Sequence, residues 1–291
     1  MTTHNIPEGI NMKGKTVLIT GASAGIGLQS AIGLAKLGAE VVMVGRDEGR
    51  TAQAVELVKS QTGNQAVSYL LADLSSLKDV RKLAGEFKDR YKKLDVLLNN
   101  AGAVFLRRHV SVDGYEMSVA LNHLNYFLLT ALLLDMIKAG PSGRIVNVAS
   151  RAHYRGHVNF DDLQSQHGYN GMQVYGMSKL MNVLFTYELA RRLQGTNVTA
   201  NCLHPGFVAS NFAGNNGWVV RFAMRFMAGR ISVEDGAKCS IYLASSPDVQ
   251  GMSGKYFNYD LKETRSSDES YDETEAKRLW DVSEQLVAIG K

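Results

Sequence analysis

Tyr175 and Lys179, in the stretch VYGMSKL, stand four residues apart, which puts both side chains on one face of a helix. A phenol with its ordinary pKa near 10 exchanges protons poorly at neutral pH, but an ammonium within about 4–6 Å stabilises the phenolate and lowers that value. Tyr175 is therefore a candidate general acid or base, with Lys179 as its tuning charge and as a donor to a cofactor ribose hydroxyl. The spacing also fits a solvated helix face with a snorkelling lysine, so other residues must supply the weight. Ser150 closes the apolar run IVNVAS and is a second hydroxyl donor, suited to the negative charge left on a carbonyl oxygen when hydride reaches its carbon. A strand-end serine can equally bond its own backbone, and Asn122 in ALNHL can be a helix-interior amide bonded to a neighbouring carbonyl.

TGASAGIG, Thr20 to Gly27, places glycines at 21, 25 and 27 just after an apolar run. Glycines there allow a sharp turn and let a pyrophosphate approach the helix N-terminus, whose free N–H groups and dipole favour an anion. Gly21, Ser23, Ala24, Gly25, Ile26 and Gly27 are the candidate phosphate contacts, in the spacing G-x-x-x-G-x-G. The next apolar run ends VGRDEGR, with Gly45 where an acid would hold a ribose 2′-hydroxyl and Arg46 following it. An arginine at that place accommodates a 2′-phosphate, so NADP is favoured over NAD, and Asp47 reads as a helix N-cap.

Residues of these types act together only if the chain brings them to one edge. TVLITG is a β-branched run broken by glycine, and IGLQSAIGLAKLG follows with helical spacing. The alternation continues through EVVMVG, EGRTAQAVELVKSQTG, AVSYLLAD, SSLKDVRKLAGEFKDRY and LDVLLNNAG. It then predicts a long helix over Tyr115 to Ala139, a strand GRIVNVAS, a helix from about Val174 to Leu193 and a strand NVTANCLHPG. The expectation is an α/β fold: one Rossmann-type, doubly wound parallel sheet of about seven strands with helices on both faces. Residues 1–291 form one domain, with a polar arm over 1–14. Arg151 to Gln173 and Phe207 to Ile231 interrupt the rhythm after strand C-terminal ends, where such sheets place ligands.

With these motifs in order along nearly the whole chain, the sequence resembles a short-chain dehydrogenase/reductase. TGASAGIG, LNNAG, Asn122, Ser150, YGMSK and HPG carry the resemblance. It implies that Ser150 polarises the substrate carbonyl, Tyr175 exchanges the proton, Lys179 lowers the tyrosine pKa and Asn122 holds a water in a proton relay. It extends the cofactor set to Asp73 and Leu74 flanking the adenine, to Asn100, Ala101 and Gly102 beside its ribose, and to Pro205, Gly206 and Val208. For Asp73 a helix N-cap is the competing reading. The long insertion between Ser150 and Tyr175, with its AH dipeptide and FDDLQ, is similar to the retinol dehydrogenase-like branch, as are LNHLNYFLLT, FTYELARRL and RLWDVS. The resemblance also implies pairing through the long helices, as a homodimer or homotetramer.

Composition sets the remaining bounds. Hydrophobic residues at 45% and charged ones at 21% describe a folded soluble chain, and a net charge of +4 with mixed signs gives nucleic acid no broad basic surface. Cys202 and Cys239 are far apart in apolar surroundings and read as reduced, buried thiols, so the expected compartment is cytoplasmic. The first fifteen residues contain no apolar run, so no stable membrane anchor is expected, and His123, His153 and His157 lack metal-ligand spacing. Trp218, Phe222, Met224, Phe226 and Met227, among three arginines in Phe212 to Arg230, suit a lid over an apolar substrate, a core helix or a membrane-touching helix. LKETRSSDESYDETEAKRLW reads as a solvated loop entering a final helix. The functional expectation is an NADP(H)-dependent oxidoreductase acting on a carbonyl or alcohol of an apolar or aromatic small molecule. The competing one is a non-catalytic NADP-binding sensor or interaction module.

Overall fold

The computed structural model describes residues 7–208 and 231–288. The loop expected to act as a lid lies outside them, except for its ends, where Val208 bridges Ile231 and the Ile231 N–H donates to the Phe207 carbonyl at 3.0 Å. Seven parallel strands form one sheet: β1 (Thr16–Thr20), β2 (Glu40–Gly45), β3 (Val67–Leu71), β4 (Val96–Asn99), β5 (Gly143–Val148), β6 (Val198–Leu203) and β7 (Tyr256–Phe257), in the order β3-β2-β1-β4-β5-β6-β7. Among the described residues seven α-helices connect or follow them: α1 (Gly25–Lys36), α2 (Glu48–Thr62), α3 (Leu77–Arg90), α4 (Asn125–Lys138), α5 (Gly171–Arg192), α6 (Val233–Ser245) and α7 (Glu273–Val287).

Both faces of the sheet are covered, and the two-residue strand period divides the chain between them. Val17 and Ile19 join α1, α2 and α6 in one core, whereas Leu18 joins α3, α4, α5 and α7 in the other. The chain runs outward from β1 to β3 and then crosses back to β4, so β1 and β4 part at the topological switch point. Thr20 and Asn100 tie these two strand ends together. The Thr20 Oγ1 accepts from the N–H groups of Asn100 at 2.9 Å and Ala101 at 3.0 Å, and the Asn100 Nδ2 donates to the Thr20 carbonyl at 2.8 Å.

The structure corrects three sequence expectations. The helix expected over Tyr115 to Ala139 begins instead as a π-helical turn, Val119–Leu124, that runs into α4. The widened turn carries Asn122 to partners outside the helix: its Nδ2 donates to the Ala103 carbonyl and the Ser178 Oγ, and its Oδ1 accepts from the Ala103 N–H. Second, α5 starts at Gly171 because Asn170 caps it, accepting from the N–H groups of Met172 and Gln173. A Cβ on Gly171 would stand 2.2 Å from the Phe105 carbonyl oxygen, so the helix start packs directly on the loop after β4. Third, the segment before α7 is solvated only in part. Ser266, Ser267 and Ser270 are buried, with the Ser266 Oγ 2.7 Å from the Tyr187 hydroxyl and 2.6 Å from the Ser270 Oγ.

Val119–Lys138 is the one helical stretch among the described residues long and apolar enough to cross a membrane, and 67% of its best window is buried inside the protein. Its apolar character is accounted for by packing in the core that holds Phe127, Leu128 and Leu133.

Candidate active site

The N-terminus of α1 differs from those of α2, α3, α5 and α6. Asp47, Ser76, Asn170 and Ser232 cap the latter four through their side chains, whereas Ala24 gives α1 no side-chain cap, and no acid stands in its first turn. Its leading N–H groups are left for an external anion. Gly21 and Gly25 have φ of +65° and +59°, which a side chain rarely adopts. A Cβ on Gly27 would stand 2.3 Å from the Gly21 carbonyl oxygen and 2.6 Å from the Asn100 Nδ2. The turn is thus closed against side chains and open to a phosphate, so these residues fit a dinucleotide. Asn100 faces the cleft, but its amide is spent on holding this turn to β4.

At the end of β2, Gly45 has a packing reason. A Cβ there would meet the Thr51 Oγ1 at 2.1 Å, and that hydroxyl donates to the Asp47 carbonyl in the first turn of α2. An acid is therefore excluded from the place where it would take a ribose 2′-hydroxyl. Asp47 caps α2, as its position suggested. Arg46 is exposed and stands 3.7 Å from Asp73, a solvated pair that contributes little and leaves the guanidinium able to move to a phosphate. Asp73 is not a helix cap: it accepts from the N–H and hydroxyl of Ser75, while Ser76 caps α3.

The chemical end lies across the cleft, on β5 and α5. Lys179 is 3% exposed and its Nζ donates to the Val148 carbonyl at 2.9 Å, which holds the ammonium beneath Tyr175, 5.9 Å from that ring's centre. Burial lowers Lys179 from the usual lysine range to about 7. Burial also raises Tyr175 above the ordinary phenol value, opposed by a hydrogen bond from Ser150. The Ser150 Oγ accepts from the Ala152 N–H at 3.2 Å, which leaves its own hydrogen to donate toward the tyrosine oxygen or a substrate oxygen. The insertion lies flat on α5 because two glycines meet: a Cβ on Gly156 would stand 2.4 Å from the Gly176 carbonyl oxygen. This contact sets Ser150 opposite Tyr175.

Every expected cofactor residue, from the Gly21–Gly27 turn through Arg46, Asp73, Leu74 and Asn100–Gly102 to Pro205, Gly206 and Val208, lines one cleft of about 1830 Å³, together with Ser150, Tyr175 and Lys179. Asn122 stands behind that wall, fully buried, with both Nδ2 hydrogens committed to Ala103 and Ser178. Three contributors were not read from the sequence. Arg50 lines the cleft one helical turn beyond Arg46, a spacing visible in GRDEGR. His204 and Tyr256 reach it from the ends of β6 and β7; the His204 Nδ1 accepts from the Gly206 N–H, while its Nε2 and the Tyr256 hydroxyl are buried without a protein partner. Strand pairing brings these two together; His204 opens the HPG motif, which gave it no role, and no local motif marks Tyr256. Cys202 and Cys239 are buried free thiols, and burial pushes Cys202 up to about 12, so neither is a nucleophile at neutral pH.

A phosphate-ready glycine turn at the switch point, facing a phenol, a hydroxyl and a buried amine, defines a nicotinamide-dependent oxidoreductase of the doubly wound class. The family model for short chain dehydrogenases matches residues 15–217. This chain belongs to that family and acts on CH–OH or C=O groups. It is 44% identical to retinol dehydrogenase 14 of Mus musculus, over 96% of this chain and 88% of the relative. It is 40% identical to retinol dehydrogenase 13 of Homo sapiens (97% and 87%) and 37% identical to polyprenol dehydrogenase of Homo sapiens (94% and 86%). Among solved structures it superposes on an uncharacterized protein from Mycobacterium paratuberculosis with a TM-score of 0.81, 31% identity and coverage of 99% and 98%. The Pseudomonas aeruginosa RhlG/NADP active-site complex gives a TM-score of 0.70 at 26% identity, with coverage of 86% and 96%.

Proposed function

We propose that the protein is an NADP(H)-dependent oxidoreductase that interconverts a carbonyl and an alcohol on an apolar small molecule, with Tyr175 as the acid–base group. The observation that carries this reading is the meeting of Ser150, Tyr175 and buried Lys179 on one wall of the cleft that the α1 glycine turn opens. When bound, the nicotinamide supplies or accepts the hydride. In the reducing direction the Ser150 hydroxyl donates to the substrate oxygen, and Tyr175 gives its proton as charge builds there. The raised tyrosine pKa keeps the phenol protonated at neutral pH, the state that reduction requires. A module that only bound nucleotide would gain nothing from burying an amine beside a phenol, since burial of the charge is costly. Phe105, Leu121, Met172 and Phe207 give the substrate side apolar walls, in keeping with relatives named for retinol and polyprenol.

The direct experiment is a panel of carbonyls and alcohols read by NADPH absorbance, with NADH in parallel. Turnover of apolar members with NADPH is expected; a panel without turnover, or one turned over better with NADH, would remove the reading. Arg46→Ala is expected to weaken NADPH about 10–100-fold, the loss of charge-assisted bonds to the 2′-phosphate, and NADH less than about twofold. Equal losses would show that Arg46 does not read the phosphate.

Lys179 sets the pH dependence. Its folded-state pKa of about 7 lies below the ordinary 10.5, so the ammonium is present below about pH 7 and is lost as pH rises through it. The acidity that the ammonium lends Tyr175 is lost with it. The kcat/KM for reduction, which reports groups of the free enzyme, should therefore fall across that range. In Lys179→Met the fall should vanish, with a rate low throughout; a profile unchanged by that substitution would assign the titration elsewhere.

A further inference from the structure

His153 is the third residue after Ser150 and is fully buried. Its Nδ1 lies 2.6 Å from the Ser150 carbonyl oxygen, and its Nε2 lies 3.1 Å from the backbone nitrogen of Ser267, far along the chain. A carbonyl oxygen only accepts and a backbone N–H only donates, so both bonds form only in the neutral tautomer with the proton on Nδ1. We propose that His153 is the positioning residue for Ser150, a two-ended clamp that fixes the serine against a strap formed by the C-terminal segment Arg265–Tyr271.

The surrounding contacts make the strap stiff. Tyr154 donates its hydroxyl to the Arg265 carbonyl, the Ser266 Oγ bonds both Tyr187 and Ser270, and the Ser266 N–H donates to the Tyr271 hydroxyl at 3.3 Å. The His153 ring lies 4.9 Å from the Tyr256 ring and 4.1 Å from the Tyr154 ring, which leaves it no room to turn over. Burial holds it down to about 4, so the neutral form is the one present at pH 7. The serine has local bonds of its own, its Oγ accepting from the Ala152 N–H at 3.2 Å and its carbonyl from the His153 N–H at 3.1 Å, but its residue is half-buried and heads a turn of five residues, Arg151–Arg155, at the start of the insertion. A hydroxyl that must meet a carbonyl oxygen at hydrogen-bond distance loses rate steeply when displaced, by about a hundredfold for an ångström. The clamp thus explains why a segment so far along the chain is folded against the catalytic strand end.

This inference rests on the proposed role of Ser150, and its test uses three substitutions that cut different bonds. His153→Asn keeps a donor at the Nδ1 position and loses the Ser267 link. His153→Gln keeps an acceptor for the Ser267 N–H and loses the donor to Ser150. Ser267→Pro removes that N–H where the native φ of −62° already suits proline, and the Ser267 Oγ that it deletes has no partner. With an apolar carbonyl substrate and saturating NADPH, kcat should fall about 10–100-fold in His153→Gln and at least about tenfold in His153→Asn and Ser267→Pro, because each cuts one end of the clamp. NADPH affinity should be unchanged in all three. A kcat within about threefold of the native value in His153→Gln, or in both His153→Asn and Ser267→Pro, would overturn the proposal, because one end of the clamp would then be idle. A proton–nitrogen spectrum of histidine-labelled protein gives a reading independent of turnover. A ring proton on Nδ1 of His153 is expected, and one on Nε2 would overturn the clamp even if the enzyme is active. An enzyme without turnover but with the Nδ1 proton would instead count against the function.

Discussion

Tyr175→Phe is expected to lower kcat by about 10²–10⁴-fold while leaving NADPH affinity within about twofold. The substitution removes one oxygen from a ring otherwise held in place by α5, where Tyr175 sits one turn before Lys179. A loss of about 10³ corresponds to about 4 kcal/mol of transition-state stabilisation, more than a single neutral hydrogen bond supplies. The excess is proton transfer: Ser150 alone can donate to the substrate oxygen, but it has no ammonium beside it to make its hydroxyl acidic. Lys179, with its Nζ fixed on the Val148 carbonyl, stays where it is when the phenol is deleted, so the cofactor side keeps its donors. The measurement is single-turnover NADPH oxidation paired with a binding titration. Turnover at the native rate in Tyr175→Phe would end the mechanism, and a joint loss of binding and rate would make Tyr175 a cofactor contact instead.

The parts of this site that the sequence shows are the parts made by short-range chemistry. The glycine turn is legible because its positive-φ positions and the helix it opens lie within a few residues of each other, and the Tyr175–Lys179 pair because a helix has a fixed period. The order of strands and helices follows from apolar runs that alternate between two patterns, and the seven-stranded sheet agrees with it. What could not be read is made by distant partners. A π-helical turn adds one residue to a helical register without leaving a mark in apolar spacing, so Asn122 looked like any helix amide until Ala103 and Ser178 were beside it. Serines in RSSDES look solvated by composition, and they are buried because Tyr187 and His153 meet them from other elements. Gly45 was read as the lack of an acid; the structure adds the cause, the Thr51 side chain in its place. The pairing of His204 with Tyr256 at one end of the cleft needs β6 and β7 to be adjacent, which the chain order alone does not state.

Trp280→Ala is expected to cost about 3 kcal/mol, the lower end for deleting a large aromatic that is packed but not wholly buried, and to lower the melting temperature by about 5 °C. Trp280 on α7 stands with its ring centre 4.9 Å from Phe127 on α4 and 5.8 Å from Phe185 on α5, and the Arg192 guanidinium lies over it at 4.1 Å. The Ser283 Oγ, one turn further along α7, is 2.8 Å from the His123 Nε2, and the Tyr115 hydroxyl donates to the Leu286 carbonyl at 2.7 Å. These contacts lay α7 across the outer side of the two long helices, the surface through which the family resemblance implied pairing of protomers. With α7 in place that surface is interior, so the wild-type protein should not pair through α4 and α5. Loss of the tryptophan should loosen α7 and uncover Phe127 and Phe185, an apolar patch of the kind that drives association. Light scattering and thermal melts on both proteins decide the matter. A lower melting temperature with new concentration-dependent association in Trp280→Ala is the expected result. An unchanged melting temperature would mean that the ring cluster does not hold α7. A wild-type dimer disrupted by Phe127→Ala or Phe185→Ala would mean that α7 yields this face to a second copy.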